Sequence, residues 1–270
     1  MFPRVDTGSL AGHSYVQTGD GPRTLLVIPG LNDPLHRVGD SRWFPRLMAL
    51  YLKRYADSHT VYMVSRPRGL PDGATTADMA AGYETVLDEL GVAEPASVDV
   101  LGLSMGGFLA QHLAANDDRI RRAVLGLSAA TLSDEGATIV RRWRDLADRR
   151  RWGPIYREAY DIVADGALSL TLQAGSVGYD LLSEPAVPAD FCISADACLA
   201  HDGTAVLGDI GCPTLVVGGD SDVFFDESGY RKTADGLANG RLALLRDAGH
   251  ESVIEHPDAF DGTVREFLTA

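Results

Sequence analysis

One serine in this sequence stands where a nucleophile could be built. Gly102-Leu103-Ser104-Met105-Gly106-Gly107 follows the apolar run Val98-Asp99-Val100-Leu101 and precedes a small-residue stretch from Met105 to Ala115. The pattern G-x-S-x-G puts a serine on a tight turn from strand to helix, flanked by glycines because a strained turn leaves no room for side chains. The pattern alone is weak, and its place between a predicted strand and a predicted helix carries the reading. A serine hydroxyl needs a base, and the base needs an acid to orient it. Asp220 and Asp222 sit just past the apolar run Thr214 to Val217, and His250 sits just past Leu242 to Leu245. The chain order is serine, aspartate, histidine, and both partners fall at carboxyl ends of predicted strands, where open α/β sheets place their sites. The chemistry these types would perform is acyl transfer to a serine oxygen.

Other candidates are weaker. His256, in Glu255-His256-Pro257-Asp258, is read as a surface residue near a helix break. His112 and the pair His201-Asp202 lack any metal-ligand spacing such as H-E-x-x-H, so no metal is expected. Cys192, Cys198 and Cys212 are too few for a disulfide framework and lack CxxC spacing, which reads as small buried thiols.

The elements that must hold these residues follow from apolar runs and turn signals. Thr24 to Ile28 reads as a buried strand broken by Pro29-Gly30, and Thr60 to Ser65, Ser97 to Leu103, Ile120 to Leu127, Thr214 to Val217 and Leu242 to Leu245 read as further strands. Ser41 to Tyr55 carries Trp43, Leu47, Leu50 and Tyr51 at helical spacing, and Thr75 caps a helix bearing Met79, Tyr83, Val86, Leu87 and Leu90. Helices are also predicted from about Glu227 and about Ser252. Strands alternating with helices predict an α/β fold, a mostly parallel central sheet flanked by helices, and the weaker alternation from Ser9 to Gln17 predicts an antiparallel edge hairpin. The rhythm fails between Ser128 and Gly211, so a helical cap insertion is predicted over 129–210, with the core in 1–128 and 211–270.

Composition excludes several classes of function. The formal charge is −14, from 24 basic and 38 acidic residues, so a phosphate backbone is repelled and nucleic-acid binding is not expected. No apolar run reaches the ~18 residues a membrane span needs, and the start, MFPRVDTGSLAGHSYVQTGD, lacks a signal core, so a cytoplasmic place is expected. Arginine supplies 22 of the 24 bases and aspartate 28 of the 38 acids, a bias that suggests solubility in concentrated salt; GC-rich codon usage also enriches arginine over lysine.

Four motifs in order, I-P-G-L-N, G-L-S-M-G-G, V-V-G-G-D-S-D-V-F-F and D-A-G-H-E-S, resemble the α/β-hydrolase superfamily, in particular its single-domain esterase and lactonase-like branch with a helical cap. The phrase Asp209 to Leu215 resembles that family's return from cap to core. The resemblance implies Ser104 as nucleophile, His250 as base and Asp222 as acid, three residues after the strand-ending Gly219, with Asp220 the alternative. It also implies an oxyanion hole from the backbone N–H groups of Leu31 and Met105, with Pro29 in place of the family's usual histidine. The family's D-x-R-G-x-G-x-S loop is replaced by Ser65-Arg66-Pro67-Arg68-Gly69-Leu70-Pro71-Asp72-Gly73, whose arginines could grip a substrate carboxylate or pair with acids of the chain. The loop after the oxyanion segment, Asn32-Asp33-Pro34-Leu35-His36-Arg37, is expected to overhang the pocket, with Asn32, Asp33 and His36 as substrate contacts.

The expected function is therefore a serine hydrolase acting on a small carboxylic ester, lactone or related acyl compound without a cofactor. The alternatives are a noncatalytic binder of small molecules on the same fold, or a cofactor-free haloperoxidase or C–C hydrolase. The cap arginines Arg141, Arg142, Arg144, Arg149, Arg150 and Arg151 read as a solvated helix balanced by acids, and Trp143, Trp152, Tyr156 and Tyr160 as cap core.

Overall fold

The computed structural model describes residues 4–35, 44–163, 185–250 and 252–270. Eight strands form one sheet: β1 Asp6–Leu10, β2 His13–Thr18, β3 Arg23–Ile28, β4 His59–Val64, β5 Val98–Leu103, β6 Ile120–Gly126, β7 Thr214–Gly219 and β8 Gly240–Leu245. Their spatial order is β1-β2-β4-β3-β5-β6-β7-β8. β1 and β2 form an antiparallel hairpin, β2 pairs antiparallel with β4, and every pairing from β4 to β8 is parallel. The sheet order brings the carboxyl ends of β3, β5, β7 and β8 to one edge, and that edge carries the site.

Alternation along β3 shows how the layers are built. Leu26 and Ile28 face one core with α2 (Thr76–Glu89) and α3 (Met105–Asn116), while Leu25 and Val27 face a second core. That second core holds Leu52 of α1 (Phe44–Leu52) and Phe260, Val264 and Phe267 of the last helix. A strand covered on both faces must be apolar throughout, as this one is. Helix α2 starts where the sequence places its cap: the Thr75 hydroxyl accepts the Asp78 N–H at 3.1 Å and the Asp78 carboxylate accepts the Thr75 N–H at 2.9 Å. Of the residues at helical spacing in and before helix α1, Tyr51 packs against the second core and Trp43 lies outside the described residues. Leu47 and Leu50 are exposed, and the helix buries Pro45, Ala49 and Leu52 because Ala49 packs against Val16 of β2.

Between β6 and β7 the described residues are helical: α4 Asp134–Asp148, α5 Trp152–Val163 and α6 Pro188–Ala200, followed by two short 3-10 turns. After β7 come α7 (Glu227–Gly236), β8, α8 (Ser252–Glu255) and α9 (Pro257–Thr269), the last two separated at His256. Among the described residues no helix is long and apolar enough to cross a membrane.

Candidate active site

β5 delivers Ser104 at its carboxyl end with φ 54° and ψ −123°, a backbone region that L residues occupy only when their surroundings hold them there. Both motif glycines are required by close approach. A Cβ on Gly102 would lie 2.3 Å from the Gly106 carbonyl oxygen, and one on Gly106 would lie 2.1 Å from that of Ile28. The Ser104 N–H donates to the Gly126 carbonyl and the Gly107 N–H to the Ser104 carbonyl, each at 2.8 Å, which ties the turn to β6 and to the start of α3.

The loops after β7 and β8 bring two partners to this serine. His250 Nε2 lies 3.0 Å from Ser104 Oγ, and His250 Nδ1 lies 2.9 Å from Asp222 Oδ2. The Asp222 carboxylate is buried and takes three further donors: the N–H groups of Phe224 (2.8 Å) and Phe225 (3.3 Å) and the hydroxyl of Tyr230 (2.7 Å). Four donors leave the carboxylate one orientation, with Oδ2 toward the imidazole. Burial, and secondarily the Asp222 charge, push the Tyr230 phenol well above its ordinary value, so it stays a donor. Tyr230 was missed in the sequence. Its trace is the glycine pair of V-V-G-G-D, since a Cβ on Gly218 would fall 2.1 Å from the Tyr230 ring. The alternative acid, Asp220, meets Arg246 at 3.4 Å and Ser221 Oγ at 3.3 Å, and His256 is exposed at the start of α9.

Two expected backbone donors belong to residues near the serine: Met105 follows it, and Leu31 lines the same cavity. That of Met105 heads α3, where first-turn donors have no intrahelical acceptor. That of Leu31 has no partner among the described residues. Gly30 packs on the serine so closely that a Cβ there would sit 3.2 Å from Ser104 Cβ. Such an arrangement can activate a hydroxyl, attack a carbonyl and receive the resulting negative oxygen.

The loop beyond Leu31 divides. Asn32 borders the cavity, and its buried Oδ1 has no partner among the described residues. Asp33 corrects the expectation of a substrate contact. Its side chain is turned inward and buried, Oδ2 accepts the Arg66 N–H at 3.0 Å, and the guanidinium groups of Arg66 and Arg68 lie 3.8 and 3.5 Å away. A buried carboxylate requires such partners. The same contacts decide between the two readings of the arginines. Arg66 is only 1% exposed and is committed to the protein interior. His36 and Arg37 lie outside the described residues.

A cavity of about 190 Å³ opens over Ser104 and His250. Leu31, Leu127, Leu132 and Phe224 wall it from below, and Val140, Trp143, Ala159, Ile162 and Cys198 reach it from α4, α5 and α6. The helices between β6 and β7 therefore supply part of its wall. Burial, opposed by the Arg66 charge, pushes the Cys198 thiol up to about 12, so it serves as apolar wall. Trp143 turns its indole N–H to Glu158 at 2.8 Å, and Trp152 and Tyr156 are buried in the same helices, while the Tyr160 side chain lies outside the described residues. Among the cap arginines, Arg142 pairs with Glu158, and Arg144 with Asp196 at 3.0 Å and Asp148 at 3.8 Å. His112 and His201 both face the Thr76 hydroxyl, at 3.2 and 2.9 Å.

Comparison with known proteins agrees with this fold. A family model described as "Alpha/beta hydrolase family" matches residues 25–262. The polyketide synthase ThaQ of Burkholderia thailandensis is 30% identical over 266 residues; the match covers 93% of this chain and 12% of that protein, so the chain is similar to a small segment of it. Among solved structures, the enol-lactonase from Burkholderia xenovorans LB400 superposes with a TM-score of 0.75 at 23% identity, over 98% of this chain and 100% of that one. The meta-cleavage product hydrolase CumD from Pseudomonas fluorescens IP01 gives 0.75 at 18% identity, over 98% and 97%.

Proposed function

The chain belongs to the alpha/beta hydrolase family, and from that premise we propose that it hydrolyses a carboxylic ester or lactone through an acyl-enzyme on Ser104. The observation that carries the reading is the unbroken hydrogen-bonded line from Asp222 through His250 to Ser104, ending at an apolar cavity. His250 Nε2 takes the Ser104 proton as Oγ bonds to the carbonyl carbon, and the carbonyl electron pair moves to oxygen. The N–H groups of Leu31 and Met105 hold that oxyanion. Collapse breaks the bond to the alcohol oxygen, which receives the proton from His250. Water, deprotonated by the same nitrogen, attacks the acyl-enzyme, and the second collapse returns the proton to Ser104 and releases the acid. Asp222 keeps the Nδ1 proton in place throughout.

The cavity wall supports a substrate whose acyl part is small and apolar. About 150 Å³ holds a benzene ring, so about 190 Å³ suits a small ring or short chain. Among the described residues lining it, no side chain carries a fixed charge, and Asn32 offers a single hydrogen-bonding group near the carbonyl. The likeness to the two solved enzymes speaks to the fold and leaves the substrate to this wall.

The test is turnover of p-nitrophenyl esters and lactones by the wild type and Ser104→Ala, at low and multi-molar salt. The wild type should turn over short apolar esters and label with a fluorophosphonate, and Ser104→Ala should do neither. A protein that fails to label is a binder. Halide-dependent oxidation without ester cleavage points to the haloperoxidase reading, and cleavage of a vinylogous diketone alone to the C–C hydrolase.

A further inference from the structure

We infer that Arg66 is a positioning residue of the oxyanion site, acting through the Gly30–Leu31 peptide; this rests on the reading of Ser104 as nucleophile. Arg66 is among the largest fully buried side chains of the protein. Its guanidinium donates to the carbonyl oxygens of Pro29 at 3.1 Å and Gly30 at 2.8 Å, whereas the Asp33 carboxylate lies farther off, at 3.8 Å. Burying a guanidinium is unfavourable, and doing so to reach two backbone carbonyls contributes little to stability that an apolar side chain of similar volume would not. The location explains the choice. The Gly30 carbonyl and the Leu31 N–H are opposite ends of one trans peptide unit. A cation bonded at the oxygen end fixes the plane of that peptide and directs its N–H the opposite way. It also withdraws electron density from the oxygen, which makes the N–H a stronger donor.

Two neighbours complete the device. The Asp33 N–H also donates to the Gly30 oxygen, at 3.2 Å, so this carbonyl takes two donors. The Asp33 carboxylate accepts the Arg66 backbone N–H at 3.0 Å and limits the uncompensated charge. Arg68 Nη2 donates to the Asp33 carbonyl at 3.1 Å and pins the far end of the loop. The positive charge thus lies behind the peptide, and its effect arrives at the reacting oxygen through Leu31. Such a contribution strengthens only when negative charge develops on the substrate oxygen, so it belongs to kcat rather than KM.

The experiment compares Arg66→Met, Arg66→Lys and Asp33→Asn with the wild type in three measurements. These are kcat and KM on a p-nitrophenyl ester, the inhibition constant of a trifluoromethyl ketone, and the pKa of its hemiketal oxyanion on Ser104 by NMR titration. Arg66→Met should lower kcat roughly tenfold to a hundredfold, less than outright removal of an oxyanion donor, with KM within about twofold. The oxyanion pKa should rise by about one unit. Arg66→Lys should recover part of both. Asp33→Asn, which removes the countercharge and keeps an acceptor, should lower the oxyanion pKa, and it tests the inference even where Arg66→Met fails to fold. An unchanged oxyanion pKa in a folded Arg66→Met, or a rise in KM alone, overturns the inference, as does an unchanged or raised pKa in Asp33→Asn. Full activity in Ser104→Ala would overturn the hydrolase reading itself. An inactive Ser104→Ala beside silent Arg66 variants would overturn only the present inference.

Discussion

Two lines of serine, histidine and aspartate cross this molecule, at opposite ends of the parallel sheet. At the carboxyl ends, Ser104, His250 and Asp222 are joined at 3.0 and 2.9 Å. At the amino ends, Ser58 Oγ meets His59 Nδ1 at 2.8 Å, and His59 Nε2 meets the Asp99 carboxylate at 2.9 Å. By distance alone the two are equivalent. Their surroundings are not. Asp99 also takes Arg121 at 2.6 Å, which neutralises the carboxylate that would hold an imidazolium. Neither Ser58, His59 nor Asp99 lines the cavity over Ser104. Ser58 has no strained turn and no helix start beside it, while Ser104 has both. The chain of hydrogen bonds is therefore common property, and reactivity needs the elbow, the donors for the oxyanion and a dry space for the substrate. In a parallel α/β sheet the carboxyl ends of strands meet helix N-termini, so negative charge is favoured at one end of the strands.

The largest expected separation comes from removing each hydroxyl. Ser104→Ala should cut kcat on an ester by about 10⁶, and Ser58→Ala should leave it within about twofold; comparable losses from both would break the contrast. The two aspartates come next. Asp222→Asn should lower kcat by about 10⁴ through loss of the imidazole tautomer. Asp99→Asn should leave kcat near the wild-type value but remove about 3–5 kcal/mol of stability in urea unfolding, because Arg121 loses its buried partner.

A smaller effect sharpens the active line itself. Tyr230→Phe removes a hydroxyl donor from Asp222 Oδ2, the oxygen that also holds His250. The carboxylate then keeps its two backbone donors and loses one of the bonds that fix its orientation toward the imidazole. kcat on an ester should fall a few-fold, about 1 kcal/mol or less, with the fold retained.

A separate effect concerns stability and lies at His201, away from both lines. Burial, reinforced by the neighbouring His112 and opposed by Asp202, lowers His201 to about 3 from the ordinary 6.5. Between those values the unfolded chain binds the proton and the folded chain does not. Stability is present above pH 6.5 and is lost as pH falls toward 3, by at most about 1.4 kcal/mol per unit. His201→Phe, which keeps a ring against Phe108 at 3.9 Å in place of the imidazole, should flatten the urea midpoint between pH 7 and 5.

What was legible in the chain depended on how far a signal reaches. The turn at Ser104 is encoded within six residues, because glycine is demanded where neighbouring backbone leaves no room for a Cβ. Strands, helix caps and the order of serine, aspartate and histidine are likewise local patterns. Helix α1 shows the limit, since apolar spacing marked Leu47 and Leu50, which stay exposed, as well as Tyr51, which packs on the core, while packing on β2 chose Ala49.

The amino-acid order by itself thus determined the alternating strands and helices, the elbow serine, and which strand ends carry the acid and base candidates. Only the tertiary structure decided that Arg66 and Asp33, 33 positions apart, share one buried cluster behind the Gly30–Leu31 peptide, that Tyr230 returns beneath β7 to hold Asp222, and that α4, α5 and α6 supply part of the cavity wall. The physical reason is that turns and caps arise from clashes and hydrogen bonds between near neighbours in the chain. The partner of a buried charge is chosen by strand pairing, here β3 beside β4, and the spacing along the chain carries no mark of that choice.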